Sequence, residues 1–441
     1  MNHTRIPDSF WKEFAATYWE KKPAFLQQLF DPNIISAEGL FDVVTGIAPA
    51  EYTANDRFWI SQTPTPASKQ DFRFLPLTTY RPRHEDQSFQ GFFERIHRDL
   101  GTNPVGINIH RLEKSSPELW FRLRDFVHGL NRSTGILPTG RWDIDTFFGT
   151  YSVTPLGIHK DNTGVFAIGV MGKRTYYTWP EDYFNEGDPA LSTLDPVIID
   201  PHLEHATTMV IEPGNALYWP SSNWHLIKSD GQPSAVVQIS AILGRNLSEI
   251  IGAHVQRILA SQFGNKDYCR AYTLGNSQSE PPRELLDAHN AFIQYANSGY
   301  IAGALQHLWL MYSTADGLFP VPPDSEAKAP GVDEKLCIDP RYPVGWLTGA
   351  DDVITIAANG LNFTIKSCHT KRITGMLEML NTGESFSTAQ LIEHYNQGES
   401  FDNTIRLIIT SLVRCRALHF AEPASLHHEK GGPLPPQANQ E

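Results

Sequence analysis

The chain has 441 residues, of which 41% are hydrophobic and 19% charged, so it is long enough for two or three domains and too apolar to be a disordered chain. Its formal net charge of −13 argues against a broad surface for nucleic acid or for an anionic membrane. The N-terminus lacks the basic start and apolar run of a signal peptide, and no stretch of about 18 apolar residues occurs. We therefore expect a cytoplasmic protein with no membrane partner.

The four cysteines are far apart in the sequence and form no CxxC pair, which disfavours a zinc ribbon or a thiol redox motif. In a cytosolic protein we expect them to be reduced thiols. They are Cys269, Cys337, Cys368 and Cys415.

Residues 8–46 are predicted to be helical, because Phe10, Phe14 and Tyr18 recur at a spacing of four and Ser36 is a plausible N-cap for a second short helix. From about 50 to 245 the pattern changes to short apolar or alternating runs separated by Pro, Gly, Asn and Asp. This pattern predicts a sandwich or barrel of short strands, interrupted by one helix near Pro117–Gly129. The predicted strands are Val105–His110, Thr146–Val153, Val165–Val170, Thr175–Trp179, Thr208–Ile211, Ala216–Trp219 and Ala235–Leu243.

Residues 246–318 return to a helical pattern. An apolar stripe runs from Leu247 to Leu259, and two further helices are predicted at Leu285–Tyr295 and Ile301–Met311. Such a stripe fits a helical cap on the barrel and a homodimer interface equally well, because an apolar face does not specify what it packs against.

Residues 319–345 are rich in proline, which predicts a linker. In residues 346–422, Asn359-Gly360 is a type I′ turn signal between two alternating strands. Three short helical patterns and a strand follow, which together indicate a small winged-helix-like domain. Residues 423–441 are expected to be a disordered tail. The helical patterns are Ile373–Leu380, Ser387–Tyr395 and Asn403–Arg416, and the strand is Ala417–Ala421.

The strongest local signal for chemistry is His159-Lys160-Asp161. In a strand, residues i and i+2 point to the same face, so this imidazole and this carboxylate can grip one metal ion. On a helix they would lie about 200° apart. Pro155 and Gly157 precede the triplet, which fits the start of a strand at the rim of a barrel. The triplet alone is weak evidence, because it often arises by chance.

A second segment, PGNALYWPSSNWH at residues 213–225, supplies a third ligand. Gly214 is expected to turn the chain into a strand, Pro220 to end that strand, and a tight turn to present His225. The next strand then returns into the barrel. This arrangement would bring His225 to the pair formed by His159 and Asp161.

Two imidazoles and one carboxylate form a facial triad that leaves three adjacent positions open, as is usual in non-haem Fe(II) oxygenases. A bidentate 2-oxo acid occupies two of these positions and dioxygen the third. Zinc prefers four ligands and often cysteine, and no cysteine is near in the sequence. His159, Asp161 and His225 therefore predict a site for Fe(II) with 2-oxoglutarate as co-substrate.

A cation for the distal carboxylate of the co-substrate is expected about fifteen residues after His159, where Lys173 and Arg174 are adjacent. Only one of the two can face inward, because neighbouring residues of a strand point to opposite faces. Arginine suits a carboxylate because it binds bidentately. The alternative for Arg174 is a solvated turn residue. Asn162 and Gln238 are further candidates for the pocket lining.

These residues resemble the JmjC-like 2-oxoglutarate oxygenases of the cupin superfamily, and within it the bacterial ribosomal oxygenases, which include arginine hydroxylases of 50S ribosomal proteins. Residues 214–225 match the second cupin motif, with Ser222 in place of its usual glycine. The N-terminal segment FWKEFAATYWEKKPAFLQQLF and residues 152–179 resemble the corresponding parts of that family. A helical segment and a winged-helix domain follow in the same order, so the resemblance covers nearly the whole chain.

The resemblance implies an α+β protein in which residues 1–245 form a double-stranded β-helix (cupin/JmjC) barrel with N-terminal helices. It implies that His159, Asp161 and His225 bind the iron, and that Arg174, helped by Ser152, binds the distal carboxylate of 2-oxoglutarate. The loop before His159 is shorter than the family's, and the bulky Trp224 precedes His225. Because these departures surround the mouth of the site, the family's substrate does not carry over directly.

The implied reaction is hydroxylation of a C–H bond in a protein or peptide side chain, with release of succinate and carbon dioxide. Demethylation and desaturation remain open, as does the tailoring of a small peptide or natural product. A cupin that binds metal without turnover is a rival, although loss of a triad residue would then be expected.

A DNA-binding role for the winged-helix-like domain is a second rival. Residues 371–421 carry five basic and five acidic side chains, and such a balanced domain is a poor DNA binder. A dimerisation or substrate-docking role is favoured instead. His202 and His205 could suggest another metal site, but no helix is evident there, and a loop or surface position is expected.

Overall fold

The computed structural model describes residues 6–27, 35–62, 66–244, 281–297, 299–395 and 399–420, together with 248–249, 252 and 255–256. The chain divides into two compact units. The first unit comprises Met1–Pro323 and Asn359–Asn362, and the second comprises Asp324–Ala358 and Phe363–Glu441. None of the helices in the described part of the chain is long and apolar enough to cross a membrane.

The first unit combines helices with two antiparallel sheets. Its described helices are α1 (Asp8–Thr17), α2 (Ala37–Gly46), α3 (Leu77–Tyr80), α4 (Phe89–Leu100), α5 (Pro117–Thr134), α6 (Pro196–Leu203), α7 (Arg283–Asn297) and α8 (Tyr300–Thr314). Its strands are β1 (Ala24–Leu26), β2 (Arg57–Ser61), β3 (Phe72–Leu75), β4 (Val105–His110), β5 (Trp142–Gly149), β6 (Thr163–Met171), β7 (Arg174–Trp179), β8 (Thr207–Ile211), β9 (Ala216–Trp219), β10 (Trp224–Ser229) and β11 (Ser234–Ile242).

The larger sheet has the order β1-β9-β6-β11-β5-β4-β2-β3, and the smaller one has the order β10-β7-β8. Apolar side chains from both sheets share one buried core, so the two sheets pack face to face. Val165 and Trp219 come from the larger sheet, and Tyr176 and Ile227 from the smaller one. This packing creates the interior in which the polar residues described below meet.

Helix α1 covers the outer face of the larger sheet. Trp11 and Phe14 are 1% exposed and make aromatic contacts with Phe126 of α5 and Phe166 of β6. Each such pair adds about 1 kcal/mol to the stabilisation from area burial. Ser36 caps α2 by accepting a hydrogen bond from the Gly39 amide, as predicted.

One helix was predicted between residues 50 and 245, and that prediction is wrong. The predicted helix near Pro117 exists as α5, but α3, α4 and α6 lie in the same region. Helix α4 carries its buried side chains at helical spacing, at Phe89, Phe92, Phe93 and Ile96, so its signal was present in the sequence. Each predicted strand corresponds to an observed strand; Val105–His110 and Ala216–Trp219 have the predicted bounds, and the other five differ at their ends.

The second unit contains β12 (Leu336–Cys337), β13 (Gly345–Thr348), β14 (Val353–Ala358), β15 (Leu361–Lys366) and β16 (His419–Phe420), with α9 (Thr370–Leu380), α10 (Thr388–Tyr395) and α11 (Glu399–Arg414). The predicted hairpin is confirmed, since Asn359 and Gly360 have φ of 53° and 79°, as a type I′ turn requires. The winged-helix assignment stays a prediction.

The expected linker, cysteines and C-terminal tail can also be located in the chain. The proline-rich residues 319–345 contain β12, and Leu336 and Ile338 are buried there. In the described part of the chain, Cys337, Cys368 and Cys415 form no disulfide bond. Cys269, most of the stripe from Leu247 to Leu259, and the tail at 423–441 lie outside the described residues.

Candidate metal centre

His159, Asp161 and His225 meet where the chain runs between the two sheets. His225 is the second residue of β10, and His159 lies in the extended segment just before β6. The backbones of the two histidines exchange hydrogen bonds of 3.1 and 2.8 Å, forming an isolated antiparallel bridge. The sequence expectation placed His159 and Asp161 inside a strand, and the structure places them immediately before one.

The three side chains form one compact donor set. The Nε2 atoms of His159 and His225 lie 3.5 and 3.7 Å from Oδ2 of Asp161. The potential ligand atoms of all three lie within 4.8 Å of one another. Donor atoms at such separations can bind a single ion without rearranging the backbone.

The ring nitrogens that face away from this set are held by the backbone. Nδ1 of His159 donates to the carbonyl of Gly157 at 2.9 Å, and Nδ1 of His225 lies 3.4 Å from the carbonyl of Asn223. A carbonyl can only accept, so the proton of neutral His159 resides on Nδ1 and the lone pair on Nε2. Gly157 has φ of 66°, a conformation that favours glycine and that aims its carbonyl at this ring.

Burial keeps His225 in the form that a metal ligand requires. Its side chain is 3% exposed, and burial together with the charge of His159 lowers its pKa to about 3. Burial acts to raise the pKa of Asp161, but the hydrogen bond and charge of His159 and the charge of His225 lower it on balance. The site therefore presents a neutral imidazole beside an ionised carboxylate.

Two side-chain networks fix the segments that carry these ligands. Lys160 pairs with Glu181 at 2.9 Å and lies over the ring of Trp224, whose Nε1 donates to the Glu181 carbonyl. On the other side of His225, the carboxylate of Glu20 accepts hydrogen bonds from Ser221. Both networks contact the segment from the turn after β9 to the start of β10, which leads to His225.

Arg174 opens β7 and points inward, whereas Lys173 is exposed. Arg174 is 1% exposed and donates to the carbonyls of Phe147 and Ser234 at 3.0 and 3.1 Å, and to the Ser234 hydroxyl at 3.1 Å. The alternative of a solvated turn residue is therefore wrong. Ser152 lies beyond the end of β5, where its carbonyl accepts from the Ser229 amide.

A cavity of about 550 Å³ opens beside the three ligands. Asn162 and Gln238 line it, in agreement with the sequence expectation, whereas Arg174 and Ser152 are not among its described lining residues. The cavity also exposes a second polar cluster that the sequence reading missed. Its members are His110, Asp143 and Asp145.

His202 has a structural role in this arrangement. It lies in α6, where no helix was expected, and its carbonyl accepts a hydrogen bond from Trp179 Nε1 at 3.0 Å. Its Nδ1 lies 3.2 Å from the hydroxyl of Tyr183. His205 is more than half exposed. The expected loop or surface position is therefore wrong for His202, which is half-buried in a helix, whereas His205 is at the surface.

Comparison with known proteins identifies the domain that carries the triad. Residues 143–244 match the family model of the JmjC domain, which spans β5 to β11 and all three ligands. This match confirms the JmjC-like resemblance, and the chain carries a JmjC domain built from antiparallel sheets and helices. No curated protein matches the chain.

Solved structures of YcfD from Escherichia coli are similar to this chain. One is 17% identical, covers 96% of this chain and 100% of its own, and has a TM-score of 0.46. A second, described as a ribosomal oxygenase in complex with cobalt and 2-oxoglutarate, is 17% identical with 95% and 99% coverage and a TM-score of 0.45. A third, in complex with cobalt and succinic acid, is 16% identical with 95% and 99% coverage and a TM-score of 0.46.

Proposed function

We propose that this protein is an Fe(II)- and 2-oxoglutarate-dependent dioxygenase that hydroxylates a C–H bond in a protein or peptide side chain and releases succinate and carbon dioxide. The observation that carries the proposal is the convergence of His159, Asp161 and His225 on one point beside a cavity, within a JmjC domain. Two histidines and one carboxylate are the donor set that non-haem Fe(II) oxygenases use.

The residues present fit such an ion. Both imidazoles turn Nε2 toward Asp161, and their Nδ1 atoms lie against backbone carbonyls. A bound Fe(II) would supply the activation of dioxygen and the oxidation of the co-substrate. The chain's own contribution is to hold three ligands on rigid backbone and to leave the remaining directions open to the cavity.

Arg174 is the proposed partner of the distal carboxylate of 2-oxoglutarate. Its guanidinium lies 5.0 Å from the ring centre of Tyr151. The hydroxyls of Tyr151 and Tyr176 are buried, with Arg174 beside the first and Gln238 beside the second. Burial raises the pKa of both phenols, so they stay protonated and can donate to an anion. Ser152 is proposed to help Arg174, as the resemblance implies.

The cavity is large enough for a co-substrate and one substrate side chain together, since small-ligand sites span roughly 300–1,000 Å³. The net charge of −13 would favour a basic protein or peptide, which supports a peptidyl substrate over a small neutral metabolite. We further propose a cytoplasmic location, a winged-helix-like docking or dimerisation domain at residues 346–422, and homodimerisation through residues 246–318.

The test is turnover by the full chain. The protein, Fe(II), 2-oxoglutarate and air are incubated with candidate basic peptides, and succinate and peptide mass are measured. We expect succinate formation coupled to a gain of one oxygen, both abolished in Asp161→Ala and retained in Asp182→Asn, which changes an exposed acidic residue. Metal binding without succinate, with or without peptide, would instead identify a cupin that binds metal without turnover.

A further inference from the structure

A second set of potential metal ligands lines the same cavity on a different wall. His110 is the last residue of β4, and it pairs across the ladder with Asp145 of β5. Asp143 lies two residues before Asp145, so both carboxylates project from the same face of the strand. Three side chains on two paired strands are held in register by the sheet rather than by a flexible loop.

The distances within this set suit one ion. Nδ1 of His110 lies 2.9 Å from Oδ2 of Asp143 and 3.9 Å from Oδ2 of Asp145. All three potential ligand atoms lie within 4.8 Å of one another, and they form a set separate from that of His159, Asp161 and His225. An ion at about 2.1 Å from each ligand would place neighbouring donor atoms roughly 3–4 Å apart, and the two distances from His110 are close to this range.

Two buried carboxylate oxygens distinguish this set from an acidic cluster on a solvated surface. Asp145 is 6% exposed, faces the cavity, and its Oδ1 has no hydrogen-bond partner among the described residues. The buried Oδ1 of Asp143 also has none. Buried carboxylate oxygens without partners are costly, and they are normally paired or bound to a cation.

We infer that His110, Asp143 and Asp145 bind a second divalent metal ion in the wall of the cavity. Two carboxylates and one imidazole without a thiolate suit Mn²⁺, Fe²⁺, Co²⁺ or Zn²⁺. One divalent ion would balance the charges of the two carboxylates, so the occupied set, with a neutral imidazole, would be neutral overall. The second ion would therefore weaken the attraction of this wall for a cationic substrate group.

The test counts ions on the full chain. Metal-free protein is equilibrated with Co²⁺, and the bound cobalt is measured by inductively coupled plasma mass spectrometry. The wild type is compared with two double variants, Asp143→Asn/Asp145→Asn and His159→Ala/His225→Ala. We expect two ions in the wild type and one in each double variant.

Diffraction from wild-type crystals soaked in Co²⁺ provides a measurement that needs no variant to fold. Two anomalous peaks, one at each ligand set, are expected. A single peak at His159, Asp161 and His225, with one ion bound in solution, would overturn the inference. A second result would also overturn it. If guanidinium or an alkylammonium ion binds the wild type but not Asp143→Asn/Asp145→Asn, and only one metal ion binds per chain, the cluster is a site for an organic cation.

Discussion

The hydroxyl of Tyr218 donates a 2.8 Å hydrogen bond to the carboxylate of Glu20, 198 residues away in the sequence. The same hydroxyl accepts from the backbone amide of Glu20 at 2.9 Å. Glu20 also accepts from the amide and the hydroxyl of Ser221. A residue that follows the first helix thus fixes the turn that leads to His225.

Removing the charge of Glu20 should loosen that turn. Hydrogen bonds to a charged group contribute about 1.5–3 kcal/mol, so Glu20→Gln should lower the free energy of unfolding by roughly that amount. It should also weaken Co²⁺ binding, because His225 loses its fixed backbone. Urea unfolding and metal titration measure the two effects. Glu13→Gln, on the exposed side of α1, is the matched control and should behave as wild type.

Asp161 is expected to dominate metal affinity at the triad. Loss of a supporting hydrogen bond to a metal ligand costs about ten- to a hundredfold in affinity, so loss of the ligand itself in Asp161→Ala should cost at least that much. Dissociation constants for Co²⁺ at this site provide the measurement. Equal affinity in wild type and variant would show that the triad does not bind the ion.

Arg174 should control the affinity for 2-oxoglutarate. Arg174→Lys keeps a positive charge but loses the planar, bidentate geometry, so the KM for 2-oxoglutarate should rise about ten- to a hundredfold with a smaller change in kcat. Lys173→Ala, at the exposed neighbouring position, is the control. Thermal unfolding of each variant separates this effect from loss of the hydrogen bonds to Phe147 and Ser234. An unchanged KM in a folded variant would remove Arg174 from the co-substrate site.

Glu113 should make the metal-free protein less stable at alkaline pH. It is fully buried, its oxygens have no described hydrogen-bond partner, and burial together with Asp143 raises its pKa from 4.5 to about 8. Between these values the folded state keeps a proton that the unfolded state loses, so stability falls as pH rises, by at most about 1.4 kcal/mol per pH unit.

Glu113→Gln should remove this part of the pH dependence. Urea unfolding between about pH 5 and pH 8, in the presence of a chelator, compares the slopes of wild type and variant. His110, with its raised pKa, adds loss of stability in the same direction between about 6.5 and 9, so some dependence should remain in the variant. Parallel pH profiles would show that Glu113 is already ionised in the folded protein.

The three triad residues could be predicted from the sequence because they lie in two segments, each with a recognisable local pattern. The spacing of His159 and Asp161 gives one shared face wherever the chain is extended. Gly214 and Pro220 bound β9, as predicted, and the turn that follows delivers His225 into β10. The prediction of a metal site therefore needed only the further assumption that the two segments meet.

The second cluster could not be read in the same way. Asp143 and Asp145 also share a strand face, but acidic residues at that spacing are common on solvated strands, and only burial distinguishes them. The pairing of β4 with β5 places His110 opposite Asp145. This pairing brings an imidazole next to the two carboxylates and so forms a set of potential ligands. Nothing within either strand specifies that register.

By itself the sequence predicted the three residues of the triad, the short strands around them and the JmjC-like character of the domain, because these depend on spacing, turn residues and motif. Only the tertiary structure decided that Arg174 is enclosed by Phe147 and Ser234, that Glu20 secures the turn before His225, and that a second acidic wall faces the cavity. Each of these relationships joins residues that are distant in the chain, and burial and strand register are set by the packing of the whole domain.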